Sequence, residues 1–265
     1  MKKPKALTVE QKYKLYEASV QNPEFEIEFL VKNFRRFFHK NPEILREDFC
    51  GTGMVCCEWV KQGQQFRAVG IDLDPEPIAY GKKHHLSKLN PEQQDRVIYD
   101  QRNVLDAEHY KADVIVAFNF SYLIFKKRQE LIKYFRSVRK SLNPEGVFFI
   151  DILGGPECQT LVEEETEHDN FSYYWDCDKF NPITNECIFH IHFQKNGKKH
   201  KNVFTYDWRM WSIPELREAL EEAGFSKTHC YWEGEDGEGG GNGEFYITNE
   251  AENCESWVTY IAALP

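Results

Sequence analysis

The chain has 265 residues and 41% hydrophobic residues, which suits one large domain or one domain with an insertion. Its formal net charge of −10 argues against a nucleic acid or an anionic membrane as partner, because both bind to basic surfaces. No apolar run is long enough for a membrane span or a signal peptide, and eight scattered cysteines without a C-x-x-C pair are typical of reduced thiols, so we expect a cytoplasmic protein.

Residues 1–40 are predicted to form a helical cover of two helices, with Asn22-Pro23 as the break between them. Apolar side chains recur at helical spacing in both helices, which indicates one buried face on each. The simple interpretation is a cover packed on a sheet edge. The alternative is a lid in which Tyr13, Tyr16 or Arg35 contacts a ligand.

Strands and helices then alternate along the chain. Strands are predicted at 44–50, 66–71, 96–101, 112–119 and 147–153, with helices at 53–62, 76–89 and 128–141. The strands are continuous Val, Ile and Phe runs, which indicates burial on both faces. This pattern predicts a doubly wound parallel sheet that binds ligands at the carboxyl ends of its strands.

The pattern changes after Gly154-Gly155-Pro156. Residues 160–208 are predicted to be an antiparallel β insertion that covers the acceptor side of the site, with three strands rich in aromatic residues. A helix ending near Gly224 and two last strands follow, with an acidic, glycine-rich loop at 234–243 that we expect to be mobile. All of these elements fit a single domain over 1–265.

A glycine turn joins the first strand to the following helix. Cys50-Gly51-Thr52-Gly53 lets the backbone approach a ligand closely, and the helix start offers free N–H groups. About twenty residues later, Asp72 ends the second strand, where an acid hydrogen-bonds ribose hydroxyls. Asp74 precedes a proline and is predicted to cap the next helix. Together these features predict a nucleotide-like ligand.

The residues from Arg46 to Gly53, followed by Asp72, resemble the first motifs of the class I S-adenosylmethionine-dependent methyltransferases. The turn at 142–147 and the helix at 211–225 resemble later parts of the same family. The resemblance implies a Rossmann-like doubly wound sheet, mostly parallel with an antiparallel last strand. It departs from the family at Phe49, which replaces the first glycine of the usual G-x-G-x-G.

The resemblance also implies the cofactor site and the chemistry. The cofactor would be S-adenosylmethionine, and the product S-adenosylhomocysteine. The residues that would bind it are Glu47 (with Asp48 as a substitute), Cys50, Gly51, Thr52, Gly53, Asp72, Leu73, Asn103, Val104 and Asn119. The expected reaction is in-line methyl transfer to a small-molecule acceptor. Because the methyl group is already activated, alignment and water exclusion matter most, and a strong general base is optional.

Two residues are candidates for a catalytic role. Asn119-Phe120-Ser121-Tyr122 has the outline of the Asn-Pro-Pro-Tyr signature of amino-group methyltransferases, but both prolines are missing. The alternative is a strand end that lines the cofactor pocket. Asp151 closes the fifth strand and is interpreted either as a base or substrate anchor or as a loop cap.

Aromatic residues of the insertion are candidates for binding the acceptor. Tyr174, Trp175 and Trp208 fit an aromatic pocket or, equally, the small core of the insertion. Arg209 fits a carboxylate ligand or a surface cation stacked on an indole. His190 and His192 have metal-type spacing, but no third ligand is evident, so we predict no metal.

Two other functions remain open. An NAD-dependent oxidoreductase would use the same glycine turn and Asp72, although Cys56 stands where a third Gly or Ala is wanted. A non-catalytic, cofactor-binding partner subunit would use the aromatic insertion as its interface. The acceptor, the methylated atom and the oligomeric state are not determined by the sequence.

Overall fold

Two β-sheets and seven α-helices make up residues 6–237 and 240–265, the part of the chain that the computed structural model describes. The helices are α1 (Val9–Val20), α2 (Pro23–Phe38), α3 (Met54–Trp59), α4 (Pro75–His84), α5 (Pro91–Gln94), α6 (Arg128–Ser141) and α7 (Ile213–Glu222). The strands are β1 (Ile44–Asp48), β2 (Arg67–Asp72), β3 (Val97–Gln101), β4 (Ala112–Ala117), β5 (Leu142–Gly154), β6 (Glu163–His168), β7 (Phe171–Asn181), β8 (Glu186–Lys195), β9 (Lys198–Arg209), β10 (Lys227–Glu235), β11 (Gly241–Thr248) and β12 (Trp257–Leu264).

The central sheet has the order β11-β10-β12-β5-β4-β1-β2-β3. Strands β3, β2, β1, β4 and β5 run parallel, and β12 lies antiparallel between β5 and β10. The strand order reverses between β1 and β4, which opens the ligand crevice of a doubly wound sheet at their carboxyl ends. The predicted fold class is therefore confirmed.

Helix starts follow the local signals in the sequence. Thr8 and Gln11 form a capping box at α1, and Ser212 and Glu215 form another at α7. The Asp74 side chain accepts the N–H of Glu76 at the start of α4, so the predicted cap is confirmed. The predicted helix at 76–89 is too long, because α4 ends at His84 and a separate 3-10 turn follows at Leu86–Lys88.

Helix α2 packs on a face of the central sheet. Phe29, Leu30 and Phe34 are buried with the sheet residues Leu45 and Phe149 in one core cluster. A sheet edge was the predicted place for this cover. The phenylalanine stripe is wide and apolar, and an open sheet face buries more of it than an edge does. No helix in the described ranges is long and apolar enough to cross a membrane.

The insertion forms a separate four-stranded antiparallel sheet, β6-β7-β8-β9, rather than the predicted three strands. The additional strand, Glu163–His168, is Glu-Glu-Glu-Thr-Glu-His and is largely exposed, so it has no apolar alternation by which sequence reasoning could find it. It forms because β7 offers a free edge for backbone hydrogen bonding.

The segment after α7 contains three strands rather than the predicted two. The additional strand, β11, pairs antiparallel with β10 and begins where a mobile glycine-rich loop was expected. The predicted loop therefore covers only the connection between these two strands, of which residues 238–239 lie outside the described part. Phe245 of β11 packs edge-on against Phe29 and Tyr260, and this contact anchors the strand.

Candidate active site

The glycine turn after β1 has a left-handed backbone at three positions. Gly51 and Gly53 have φ values of 53° and 63°, which glycine adopts without a steric penalty. Phe49 has a φ of 59° at the place of the expected glycine, a conformation that costs about 1 kcal/mol for a residue with a Cβ. Its ring lies 5.7 Å from the Tyr134 ring and 6.1 Å from the Phe125 ring. Packing against these two rings offsets the strain.

Asp72 ties the end of β2 to the glycine turn. Its Oδ2 accepts the Gly51 N–H at 2.7 Å, and its Oδ1 accepts the Asp74 N–H at 2.9 Å. Burial raises the pKa of this half-buried carboxyl, against the effect of these N–H donors. Each oxygen keeps a lone pair, so the carboxylate retains the capacity to accept from a ribose hydroxyl pair.

The surface beside Asp72 is open and presents an apolar and a polar side chain. A Cβ placed on Gly51 would meet no atom within 4 Å, so the turn is open on its outer side. Leu73 is 66% exposed, which is unusual for a leucine at the end of a buried strand and provides an apolar surface for a flat base. Asn103 is also exposed, and its Oδ1 accepts the Leu105 N–H at 3.0 Å, which leaves its amide group available.

Cys50 and Thr52 turn their side chains inward. Cys50 is buried, and the Thr52 hydroxyl donates to the Glu17 carboxylate of α1 at 2.8 Å. The contact with Glu17 ties α1 to the glycine turn, a link that sequence reasoning missed.

The two acids before the turn are buried. Glu47 accepts the Cys56 N–H at the start of α3 at 3.2 Å, and burial raises the pKa of Glu47 to about 7. Asp48 pairs with Arg46 at 2.7 Å and accepts the Tyr134 hydroxyl at 2.8 Å. These contacts place Asp48 in the protein interior, away from the surface of the turn, so its predicted role as a substitute for Glu47 lacks support in the geometry.

Arg46 is a fully buried cation that sequence reasoning did not assign. Besides Asp48, its guanidinium donates to the carbonyls of Ala107 and Val104 and to the Ser141 hydroxyl. It therefore holds the buried Val104 and the loop after β3, on which Asn103 stands. An arginine inside a strand that is buried on both faces is the only sequence signal for this network.

A cavity of about 430 Å³ opens at the carboxyl ends of β4 and β5. The sheet provides its floor, the insertion its roof, and the first two helices one wall. Its lining includes Asn119, Phe120, Asp151, Leu153, Val258 and Tyr260 from the central sheet and its loops, Tyr173, Trp175, Phe189, Ile191, Tyr206 and Trp208 from the insertion, and Tyr16, Val20 and Glu26 from the helices.

Asp151 holds the loop that forms the floor of this cavity. Its carboxylate accepts the N–H groups of Asn119 at 2.7 Å and Phe120 at 2.9 Å. Both residues have a left-handed backbone, with φ values of 55° and 57°, and two such residues in succession need this support. Burial raises the pKa of Asp151 to about 7, against these two donors. The loop-cap interpretation of Asp151 therefore matches the geometry, while the carboxylate still borders the cavity.

The structure does not bring Tyr122 to the cavity. Its side chain is fully buried, and its hydroxyl donates to the Asp151 carbonyl at 2.8 Å. Tyr122 thus supports the same floor from below. A phenol in this position cannot stack on an acceptor, which the outline of the amino-methyltransferase signature would require.

Only two of the four predicted acceptor residues face the cavity, Trp175 and Trp208. Tyr174 lies on the other face of the insertion, where its hydroxyl donates to Glu165 at 2.6 Å and the Lys199 ammonium lies over its ring. Arg209 stacks on Trp211 at 3.7 Å, the surface arrangement that was the alternative interpretation. Neighbouring residues on a strand point to opposite faces, so the pair 174–175 is necessarily divided.

Sequence reasoning missed Glu26, which lies with Asp151 in the interior of the cavity. Its Oε2 atom is shielded from solvent and has no hydrogen-bond partner. Burial, followed by the charges of Glu47 and Asp151, raises the pKa of Glu26 to about 8. The signal in the sequence is a glutamate between Phe25 and Ile27, on the apolar side of α2.

Tyr16 links the helical cover to both ligand regions. Burial raises the pKa of Tyr16 to about 12, and the charges of Asp151 and Asp72 act in the same direction. The hydroxyl groups of Tyr16 and Tyr206 pair with each other across the wall and roof of the cavity. Of the residues in the alternative lid interpretation, Tyr16 is the one that reaches the cavity.

His192 belongs to a group with Glu163 and Asp176 on the outer face of the insertion. Its Nδ1 accepts the Asn202 N–H at 2.9 Å, so its Nε2 carries a proton and donates to Asp176 Oδ2 at 3.1 Å. Glu163 is paired with Lys199. The group is a set of hydrogen bonds and ion pairs between neighbouring strands.

Comparisons with known proteins agree with this architecture. Residues 50–148, from the glycine turn to β5, match the family model of a methyltransferase domain. The structure of an S-adenosylmethionine-dependent methyltransferase from Clostridium acetobutylicum ATCC 824 shares the fold over 95% of each chain, with a TM-score of 0.65 and 19% identity. Residues 50–148 are thus a methyltransferase domain, and the chain shares the fold of S-adenosylmethionine-dependent methyltransferases.

Two further proteins are similar to this chain, one in sequence and one in structure. The Bacillus subtilis (strain 168) protein YqeM, to which methyltransferase activity is ascribed, is 25% identical over 186 residues, 66% of this chain and 70% of its own. The structure of CalS10 of Micromonospora echinaspora, an amino pentose methyltransferase, matches over the full length of both chains, with a TM-score of 0.66 and 13% identity. At this identity the solved structures establish the fold of the methyltransferase and leave its acceptor open.

Proposed function

We propose that this methyltransferase binds S-adenosylmethionine along the glycine turn and transfers its methyl group to a small molecule held in the cavity. The observation that carries the proposal is the position of the cavity. It lies at the carboxyl ends of β4 and β5, the same edge of the sheet at which the glycine turn follows β1 and Asp72 ends β2, across the strand-order switch. A volume of about 430 Å³ suits a small acceptor rather than a macromolecule.

The cofactor would be held by a few groups of the chain. Asp72 would accept the ribose hydroxyls, Leu73 would cover the adenine, and the amide of Asn103 would reach the edge of the base. The bare Gly51 leaves room for the ligand to lie against the backbone. When bound, S-adenosylmethionine supplies a methyl group that is already activated by a sulfonium.

The remaining task of the protein is to orient the acceptor and exclude water. The insertion supplies seven ring or branched apolar side chains to the roof, and Tyr16 closes one wall. Asp151 keeps the left-handed turn at Asn119 and Phe120 in place under the acceptor. The solved structures with the same fold include a sugar N-methyltransferase and an amino pentose methyltransferase, which supports a small-molecule acceptor.

Replacement of Asp72 by alanine tests the cofactor site. We expect Asp72→Ala to weaken S-adenosylhomocysteine binding by about 1–3 kcal/mol, the cost of losing a charge-assisted hydrogen bond. Titration calorimetry measures the affinity, and Asp95→Ala, an exposed acid at the end of α5, is the matched control. Unchanged affinity in Asp72→Ala would remove Asp72 from the ribose site.

Binding of S-adenosylhomocysteine or NAD distinguishes the proposed function from the alternative functions. Stabilisation against heat by S-adenosylhomocysteine and not by NAD is the expected result. Stabilisation by NAD alone would favour an oxidoreductase instead. Binding of the cofactor together with a stable hetero-complex, and no methyl transfer to any of a panel of amines, phenols and acids, would favour a partner subunit.

A further inference from the structure

The cavity is acidic as well as aromatic. Four carboxylate residues line it, namely Glu26, Asp151, Glu157 and Glu164. Among the described residues of the lining there is no lysine, arginine or histidine. A cavity with this charge disfavours an anionic acceptor and favours a cationic one.

The two carboxylates in the interior of the site differ in that Glu26 has an oxygen without any hydrogen-bond partner, whereas both oxygens of Asp151 have one. Both oxygens of Asp151 accept backbone N–H groups of the floor loop. Oε2 of Glu26 is buried and has no partner. A buried acceptor without a donor costs about 1–3 kcal/mol, so a ligand that donates to Glu26 Oε2 regains this energy on binding.

The rings that line the same cavity as Glu26 complete a site for a cation. Tyr16, Tyr173 and Tyr206 surround the cavity from the helical wall and the roof, with the indoles of Trp175 and Trp208 beside them. Aromatic faces attract an ammonium group that lies within about 6 Å of the ring centre. An acceptor phenol would have to become a phenolate beside two carboxylates, which their charges oppose.

We propose that the acceptor of this enzyme is a primary or secondary amine and that Glu26 binds its ammonium group and accepts its proton. The proposal rests on the proposed function, of which it names the acceptor class. In the step at Glu26, an N–H bond of the ammonium breaks, an O–H bond forms at the carboxylate, and the electron pair stays on nitrogen. That lone pair is what an amine needs to react with an electrophilic methyl group. Burial raises the pKa of Glu26 to about 8, which brings it closer to the pKa of an ammonium group and so favours transfer of the proton to the carboxylate.

Matched ligand sets test the proposal by binding. A set of aromatic and aliphatic amines, each with its corresponding alcohol and carboxylate (phenethylamine, 2-phenylethanol and phenylacetate are one set), is screened by thermal shift with saturating S-adenosylhomocysteine. Calorimetry then gives the affinities of the stabilising compounds. We expect the stabilising members to be amines, bound at least about tenfold more tightly than their alcohols, the discrimination given by one charge-assisted contact.

Glu26→Gln is the decisive variant, because it keeps the size of the side chain and removes the charge. The amine preference should fall to about parity, while the affinity for S-adenosylhomocysteine stays the same. Glu28→Gln, at an exposed position of the same helix, should leave both unchanged.

Three results would overturn the proposal: a preference for alcohols or carboxylates, no stabilisation by any amine, or an amine preference that survives in a folded Glu26→Gln protein. Failure of S-adenosylhomocysteine to bind would instead overturn the proposed function. In that case the amine-to-alcohol ratio is read on the free protein and still decides the role of Glu26.

Discussion

Arg46 and Asp48 form a completely buried ion pair two residues apart on β1. The pair is stabilising only because each remaining donor and acceptor is used, by Val104, Ala107 and Ser141 for the guanidinium and by Tyr134 for the carboxylate. Its place under the glycine turn and the Asn103 loop means that the shape of the cofactor site depends on it.

Removal of one partner should destabilise the whole domain. We expect Arg46→Leu to lower the free energy of unfolding by about 3–5 kcal/mol, because it leaves the Asp48 charge buried and unpaired. Urea denaturation measures the change. The double variant Arg46→Leu/Asp48→Leu should recover part of the loss, since no buried charge remains, and a single-variant loss below about 1 kcal/mol would contradict the expected role of the pair.

The strand β7 divides its aromatic residues between two environments. Trp175 faces the cavity and lies 4.8 Å from the Phe189 ring, whereas Tyr174 faces outward under Lys199. Both are large aromatic residues in the middle of one strand, so they form a matched pair for testing which face of the insertion serves the acceptor.

Trp175→Ala should weaken acceptor binding strongly, and Tyr174→Ala should not. The loss of a ring that contacts a ligand is worth about 1–3 kcal/mol, or roughly tenfold or more in affinity. The affinity of the tightest-binding amine, measured by calorimetry with S-adenosylhomocysteine present, distinguishes the two variants. Equal losses in both would mean that the insertion acts through its overall stability and not through its inner face.

The helical cover connects elements that would otherwise be separate. On α1, Tyr13 donates to Glu76 of α4 at 3.0 Å, Glu17 accepts from Thr52 of the glycine turn, and Tyr16 packs on Phe204 of the insertion. The cover therefore bridges the cofactor region and the roof of the cavity. It explains how a small sheet that is inserted after β5 keeps a fixed position over the site.

At the scale of the whole molecule, the buried carboxyl groups in and near the site lower the stability of the fold as pH rises. Glu26, Glu47 and Asp151 all have a raised pKa, caused first by burial, to about 8, 7 and 7. A carboxyl whose folded pKa is raised contributes stability that is fully present below its unfolded pKa. That stability is lost as pH rises through the folded pKa, because the buried group must then carry a charge.

The stability of Glu26→Gln relative to the wild type should therefore depend on pH. At pH 5 the Glu26 carboxyl is neutral in the folded protein, and the variant should differ little. Between pH 5 and pH 9 the Glu26 carboxyl becomes charged near Glu47 and Asp151, and a backbone N–H of Asn22 is the contact that stabilises this charge. The variant should therefore become more stable than the wild type by roughly 1–3 kcal/mol. The melting temperature of both proteins across this pH range measures the difference, with Glu28→Gln as control. A pH-independent difference would mean that the Glu26 carboxyl is well solvated.

The sequence alone determined the features that depend on local pattern. Continuous apolar runs identified the five parallel strands, the glycine turn and Asp72 followed in the order of a doubly wound sheet, and Asp74 before proline marked a helix start. These predictions succeeded because strand burial, turns and caps are set by residues within a few positions of one another. The edge strands β6 and β11 escaped prediction, because β6 is polar and β11 begins in a glycine-rich stretch, and such strands form only where a neighbour offers a free edge.

The tertiary structure decided which side chains meet. Glu26 and Asp151 are distant in the sequence and share one cavity only because α2 packs beside the carboxyl ends of β4 and β5. The division of Tyr174 from Trp175, the interior position of Tyr122 and the pairing of Asp48 with Arg46 depend on which face of a strand is covered by another element. Local sequence sets the period of a strand, but the choice of its buried face is made by packing, since apolar area is gained only against a partner surface.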